Sequence, residues 1–314
     1  MQPVKLTPPS AVAMIRPHQF RINPQTFADN SFQLDPQTMA NTLQQQAFLQ
    51  VTNVVGRLRE IGVKVHLFED NSSETPDSVF PNNWFSSHAQ GTICIYPMYA
   101  KNRRKERRWD LIEQLKQQYS VNQLLDYSSM EEQHLALEGT GAMVLDHVNK
   151  QAYTVRSNRA STQVLQRFCA DLNYSAQVFD ASDERGVAVY HTNVLMCIAT
   201  DFVLIGASMI RCSQQRAQII NQLQLSGRTV IELTESQIAN FCGNALELQG
   251  ENEAFLALSQ NAYDALSVQQ RGIIESFVCL LPLQVSAIEA AGGALRCMLA
   301  DIHLAAIPLI DKRH

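Results

Sequence analysis

The 314-residue chain is 46% hydrophobic and 18% charged, a balance that excludes a disordered, collagen-like or coiled-coil protein and leaves enough apolar residues for a sizeable core. Its 25 Lys and Arg stand against 30 Asp and Glu, a formal net charge of −5, so no basic field singles out nucleic acid as a partner. The apolar runs 194–198 and 202–207 are separated by Asp201 and fall far short of the ~20 residues of a membrane span.

Taken in chain order, apolar patterning predicts a first strand over residues 12–15, a long helix over 39–61 and a second strand over 64–68. Further strands are predicted over 92–96, 143–146, 152–155, 187–190, 194–198, 202–205 and 229–233. Helices are predicted over 106–119, 160–172, 213–223, 235–241 and 261–274, several with Ser, Thr or Asn just upstream as caps. Strands outnumber helices and often fall in adjacent pairs, which predicts an α/β fold of mixed sheets built from ββαβ units rather than a strictly alternating doubly wound sheet. The helices return at very roughly 50-residue intervals, without visible self-similarity of sequence. No Gly/Ser-rich or Pro-rich linker interrupts the chain, so residues 1–314 are expected to form one domain. The N-terminal residues have neither the basic and apolar regions of a signal peptide nor a transit-peptide pattern, and cytoplasmic residence is the expectation.

Seven cysteines, at 94, 169, 197, 212, 242, 279 and 297, contain no CxxC pair, which fits free thiols better than a disulfide framework or a zinc site. The eight histidines are spread too widely for metal-ligand spacing. There is no P-loop, HExxH or GxSxG, and Gly139 and Gly141 are followed by Val144 where a dinucleotide fingerprint needs a third glycine. Neither a cofactor nor a metal is expected. The basic run at 101–108, KNRRKERR, precedes a predicted helix on an acidic chain and is expected to be solvated surface.

Four stretches carry polar and ionisable residues beyond what a core strand needs. In the first, Asp77, Asn82 and Asn83 flank Phe80 and Trp84, which can wall a small-ligand pocket or form an Asx-bonded turn. In the second, Glu138 precedes Gly139 and Gly141, either a poised carboxylate or a surface residue beside a glycine turn. In the third, His191 heads an apolar strand with Asn193 two residues on. In the fourth, Cys297 follows Gly292 and Gly293 and adjoins Arg296, a setting that lowers a thiol pKa and leaves it accessible. The other six cysteines lie in apolar patterns and are expected to be buried and inert. A thiol, an imidazole and a carboxylate distant in sequence satisfy the residue requirements of nucleophilic catalysis.

These stretches in this order resemble the guanidino-group-modifying superfamily of arginine deiminase, dimethylarginine dimethylaminohydrolase and amidinotransferase, closest to its citrulline-utilisation hydrolase branch. The likeness runs from Met14, Ile15, Arg16 and Pro17 through Asn23, Pro24 and Asp29 to Gln33, then Asp77 to Trp84, Glu138 to Gly141, Tyr190 to Val194, and Gly292 to Met298. It implies a five-bladed α/β propeller, or pentein, with the active site in a central channel. It also implies Cys297 as nucleophile, His191 as general acid and base, and Glu138 as its partner.

Arginine deiminases grip the guanidinium with two carboxylates at positions occupied here by Asn83 and Asn193. A buried cation needs compensating negative charge, whereas a neutral ureido carbonyl wants a donor that an amide supplies, so citrulline is favoured over arginine. An α-carboxylate is best anchored by a bidentate arginine; Arg159 is the first candidate and Arg16 the second, with Asp77, Asn82 and Phe80 completing the binding set. The expected reaction converts citrulline to ornithine, ammonia and carbon dioxide through a covalent Cys297 intermediate. The alternatives are an arginine or methylarginine hydrolase, an amidinotransferase, and a non-catalytic propeller that binds protein or RNA. The expected partner is a small amino-acid substrate, with no nucleic acid or membrane, and a homodimer is left open.

Overall fold

A computed structural model describes residues 7–27, 29–34 and 40–308. Its short apolar segments form five three-stranded sheets on one plan. The second sheet comprises β3 (Phe85–His88), β4 (Thr92–Ile95) and β5 (Gln123–Asp126); the third β6 (Met143–Asp146), β7 (Gln151–Val155) and β8 (Ser175–Phe179). The fourth comprises β9 (Met196–Ile198), β10 (Phe202–Ile205) and β11 (Thr229–Glu232); the fifth β12 (Leu246–Gln249), β13 (Ala254–Ser259) and β14 (Cys279–Leu283). In each, the first strand pairs antiparallel with the second and the second parallel with the third. The parallel pairing requires a crossover, supplied by α2 (Trp109–Gln118), α4 (Thr162–Leu172), α6 (Ser213–Leu225), and α8 (Gln260–Ala265) with α9 (Val268–Glu275).

The first sheet follows the same plan with the chain's late residues in the first position: β15 (Ala300–Asp301) pairs antiparallel with β1 (Ala11–Pro17), which pairs parallel with β2 (Lys64–Asp70) across α1 (Ala40–Glu60). The crossover helices turn an apolar stripe inward. In α4 the buried residues are Val164, Leu165, Phe168, Cys169 and Leu172, the spacing of one helical face. Apolar clusters fill the spaces between sheets: one joins the first and second, another the second and third, a third spans the third to fifth, and the last joins the fifth to the first.

Each sheet's first strand is entered through a tight turn. These are a 3-10 turn at Pro81–Asn83 before β3, α3 (Gly139–Ala142) before β6, α5 (Thr192–Leu195) before β9, an irregular turn at 241–245 before β12, and α11 (Leu295–Met298) before β15. The remaining short helices are α7 (Glu235–Ala239) and α10 (Ser286–Glu289). The entry turns carry Asn82 and Asn83, Glu138 as the cap of α3, His191 as the cap of α5 with Asn193 inside it, Asn244, and Cys297. The 50-residue rhythm of the sequence is therefore a repeat of topology.

Several expected elements differ. Residues 187–190 form no strand; they follow a turn at Gly186 with φ 81° and run past the fourth sheet's entry. The first half of the strand expected at 194–198 is the helical turn α5. The helix expected over 261–274 breaks at Leu266, and Ser267 starts α9 with a capping box to Gln270. The strands β3, β5, β8, β12, β13, β14 and β15 are not among the expected elements, being short, poor in β-branched residues or, in β14, carrying Pro282, which is tolerated because that strand is a sheet edge. Among the described residues no helix is long and apolar enough to cross a membrane.

Candidate active site

The entry turns bring the chemistry-bearing residues to one cleft, lined by Asp77, Phe80, Asn83, Arg159, His191 and Cys297 among others. Cys297 is 2% exposed. Its Sγ lies 3.4 Å from Asn193 Nδ2 and 3.2 Å from Asn244 Nδ2, two amide donors directed at the sulfur. Arg296, expected beside the thiol, turns away and bonds the Leu299 carbonyl and Asp301, so the charge neighbour anticipated from sequence is replaced by two neutral amides.

His191 Nε2 lies 2.9 Å from Glu138 Oε2, with both side chains buried. This bond leaves Nδ1 as the free ring nitrogen. Gly141 makes room for it: a Cβ there would stand 2.9 Å from His191 Nδ1 and 2.2 Å from Asn83 Nδ2, so any side chain would drive the imidazole and the amide out of the cleft. Gly293 has a similar role on the opposite wall, where a Cβ would stand 2.8 Å from the Phe80 ring and 3.4 Å from Cys297 Cβ.

Burial alone would raise the Glu138 carboxyl, but the guanidiniums of Arg159 and Arg103, with the His191 bond, hold it well below the usual carboxylate range. Arg103 Nη1 is 3.1 Å and Arg159 Nη1 3.6 Å from Glu138 Oε2. Burial pushes His191 down to about 4, outweighing Glu138, which favours the charged ring. The resting imidazole is thus neutral at pH 7 and able to accept a proton. If His191 is the required base, kcat/KM stays level as pH falls from neutrality and declines only near about 4, because only there does His191 take up its proton. An acid limb centred near the ordinary imidazole value of about 6.5 in a pH profile would contradict this.

Arg103 corrects the expectation of a solvated basic run. It is 2% exposed, forks onto both oxygens of Glu106 at 3.0 and 3.2 Å, and lies 3.5 Å from Asp77. Arg159 is buried in the cleft, ion-paired with Asp29 and 3.6 Å from Glu138. Arg16 is not: it sits at the end of β1, half-buried, and pairs with Glu69 across the β1–β2 register. Asn82 lies behind the cleft, where its Oδ1 accepts from Asn83 Nδ2 at 3.1 Å. Asp77 Oδ2 accepts from Asn23 at 2.7 Å, while its Oδ1 is buried without a hydrogen-bond partner, a carboxylate oxygen free to meet a cationic group.

Two residues bearing on the site escaped sequence reasoning. Arg103 is hidden within a run whose other cations are exposed or part-buried, with Arg104 and Arg107 on Glu131, Lys105 on Glu74 and Arg108 on Asp110, and nothing in the sequence distinguishes it. Asn244 has no motif of its own; the signal is its position two residues before β12, which matches Asn83 before β3. The cysteine pattern also needs correction, since Cys212 and Cys279 are exposed while Cys94, Cys169, Cys197, Cys242 and Cys297 are buried. Burial pushes Cys94, Cys197 and Cys242 up to about 12.

The cleft is narrow. Thr26 and Asn30 line one side of it, and nearby Asp29 pairs with Arg159 while Gln33 bridges to Ala291. The free volume inside is about 10 Å³, room for about one water.

A thiol, a neutral imidazole on a buried carboxylate and convergent amides can carry out covalent attack on a planar C–N centre. Five such sheets bearing this constellation place the chain among the guanidino-group-modifying enzymes. The sequence matches the family described as N,N dimethylarginine dimethylhydrolase, eukaryotic, over residues 16–304, and the chain belongs to that family of C–N hydrolases. Among solved structures, the N-terminal domain of ArgZ, an arginine dihydrolase from the ornithine–ammonia cycle in Cyanobacteria, bound to substrate, matches with a TM-score of 0.72 at 16% identity, covering 94% of this chain and 99% of that one. AgrE in a complex with ornithine and NAD+ matches at 0.72 and 16% identity over 97% of this chain and 40% of that one, so the chain spans about two fifths of its length. An adduct of dimethylarginine dimethylaminohydrolase with S-methyl-L-thiocitrulline matches at 0.60 and 14% identity, covering 93% and 98%. At these identities the likeness is one of fold. No curated protein matches the sequence.

Proposed function

We propose that the protein is a thiol-dependent hydrolase of the ureido group of free citrulline, giving ornithine, ammonia and carbon dioxide, and that it is a single-domain five-bladed α/β propeller with the site in its central channel. The observation that carries the substrate is the pair of amides, Asn83 beside His191 at Gly141 and Asn193 at 3.4 Å from the Cys297 sulfur. By the resemblance they occupy the positions at which arginine deiminases hold the guanidinium with carboxylates, and they carry amide donors of the kind a neutral ureido oxygen accepts.

In this reading the proton of Cys297 passes to His191, and the sulfur forms a bond to the ureido carbon. The bond from that carbon to the side-chain nitrogen breaks, and the imidazolium returns its proton to the departing amine of ornithine. His191 then takes a proton from water, whose oxygen attacks the S-carbamoyl carbon and releases the thiol and carbamic acid, which decomposes to ammonia and carbon dioxide. Glu138 holds the ring in the tautomer with Nδ1 free. Arg159 binds the α-carboxylate, Asp77 Oδ1 the α-ammonium, and Phe80 walls the methylene chain, while Asn82 supports Asn83.

A second reading rests on a separate observation. Asp29, Asp77, Glu106 and Glu138 surround only two guanidiniums, Arg103 and Arg159. Burial raises the Asp77 carboxyl and pushes Glu106 up to about 8, so these groups can give up protons to meet a substrate that brings its own guanidinium, as in an arginine dihydrolase for which citrulline is the halfway compound. Amino-acid analysis of purified protein given citrulline, arginine or dimethylarginine separates the readings. Ornithine from citrulline alone is the expected result, ornithine from arginine as well supports the second reading, and product from neither overturns both. Asn83→Asp is expected to depress citrulline turnover at least tenfold relative to arginine turnover, about the discrimination given by one misplaced buried charge.

A further inference from the structure

We propose that His147, Asp301 and His303 form a binding site for a divalent metal ion of the zinc class, separate from the thiol cleft and opening onto a cavity of about 650 Å³. The three residues come from two places in the chain: His147 directly follows β6, Asp301 ends β15, and His303 lies two residues further on. One ligand atom from each lies within 4.8 Å of the other two. His303 Nε2 and Asp301 Oδ2 are 2.8 Å apart, and the rings of His147 and His303 have centroids 4.2 Å apart. Ligands around tetrahedral zinc, at bond lengths of about 2.0–2.1 Å, are separated by about 3.3 Å, so small side-chain adjustments would seat an ion among these three atoms.

The surrounding groups orient the ligands as a metal site requires. Tyr174 Oη lies 2.8 Å from His147 Nδ1, which leaves Nε2 for an ion. Arg296 Nη2 donates to Asp301 Oδ1 at 3.0 Å, which leaves Oδ2. Such outer partners fix the tautomer and direction of a ligating imidazole and the usable oxygen of a ligating carboxylate. Two imidazoles and one carboxylate match the nitrogen and oxygen preference of zinc and its neighbours, not that of calcium or magnesium. All three residues line the cavity, so a fourth position can take water or an exogenous donor.

The site joins the third sheet to the final strand of the first, and a bound ion would cross-link them. The same cavity is lined by Asn193, whose amide reaches the Cys297 sulfur on its other side. The ion would therefore lie beyond the wall of the thiol cleft, outside the proposed reaction.

Protein freed of metal by a chelator is titrated with zinc by calorimetry, and cobalt is added in parallel for its absorption spectrum. One equivalent is expected in the wild type and in Cys297→Ala, with a higher melting temperature and a cobalt spectrum lacking thiolate charge-transfer bands. His147→Ala and His303→Ala are expected to lose this binding. Tyr174→Phe, which preserves the packing, is expected to weaken it by about tenfold or more and keeps the test decisive if a histidine variant misfolds. Absence of zinc binding in the wild type overturns the proposal. So does binding that vanishes in Cys297→Ala, persists in the histidine variants, or is unchanged in Tyr174→Phe.

Discussion

Replacing Cys297 with alanine is expected to lower hydrolysis by at least about a thousandfold while leaving the fold and substrate binding intact. The covalent route splits a difficult displacement into two easier steps, and a site that loses its nucleophile keeps only the contribution of binding and polarisation. Sγ occupies a small buried space between the amides of Asn193 and Asn244, so alanine removes the reactive atom with little loss of packing. Serine is expected to be nearly as inactive, since its hydroxyl is far harder to ionise in the same surroundings. Steady-state release of ornithine, with citrulline binding measured by calorimetry, checks both halves. Activity within tenfold of wild type would remove Cys297 from the chemistry.

Replacing Arg103 with methionine is expected to damage stability and activity together. The guanidinium lies 3.0 Å from Glu106, 3.1 Å from Glu138 and 3.5 Å from Asp77, all buried. Breaking a buried ion pair by deleting one partner costs about 3–5 kcal/mol, because the remaining charge is left without compensation. Here Glu138 and Asp77 lose a shared partner, and Glu106, which burial already pushes up to about 8, is driven further toward its protonated form. Glu138 would be less firmly ionised and would orient His191 less well, so kcat falls along with the urea midpoint. Arg103→Lys is expected to recover only part of the loss, since a single ammonium cannot reproduce the fork that spans Glu106 and Glu138. A methionine variant as stable and active as wild type would show the cluster to be incidental.

The sequence stretches around Asp77, Glu138, His191 and Cys297 could be singled out because each sets polar residues against glycines or apolar neighbours, and their side chains meet around one cleft. From sequence Arg16 is the second candidate anchor after Arg159, but strand pairing places it opposite Glu69 near the end of β1. Arg103 could not be distinguished from Arg104 or Arg107 by composition; burial of every third residue in a 3-10 turn is a property of packing. The missed strands have a similar cause. Sequences such as FSSH at β3 and LELQ at β12 carry little intrinsic preference and are extended because a neighbouring strand supplies their hydrogen bonds. The proposed metal-ligand trio was invisible for a simpler reason: His147 and His303 are separated by the rest of the third sheet and all of the fourth and fifth.

The pairing of β15 with β1 sets an order on the protein's biosynthesis. During synthesis β1 must wait for almost the whole described chain before Asp301 and Ala300 can pair with Val12 and Ala13. Such distant closure is slow relative to local hairpins and helices. A nascent chain can assemble the imidazole–carboxylate pair and most of the sheets, but it lacks the proposed nucleophile until the segment bearing Cys297 arrives. On the proposed mechanism, copies that lack this segment are inactive, and the late segment that closes the first sheet also delivers the Cys297 thiol.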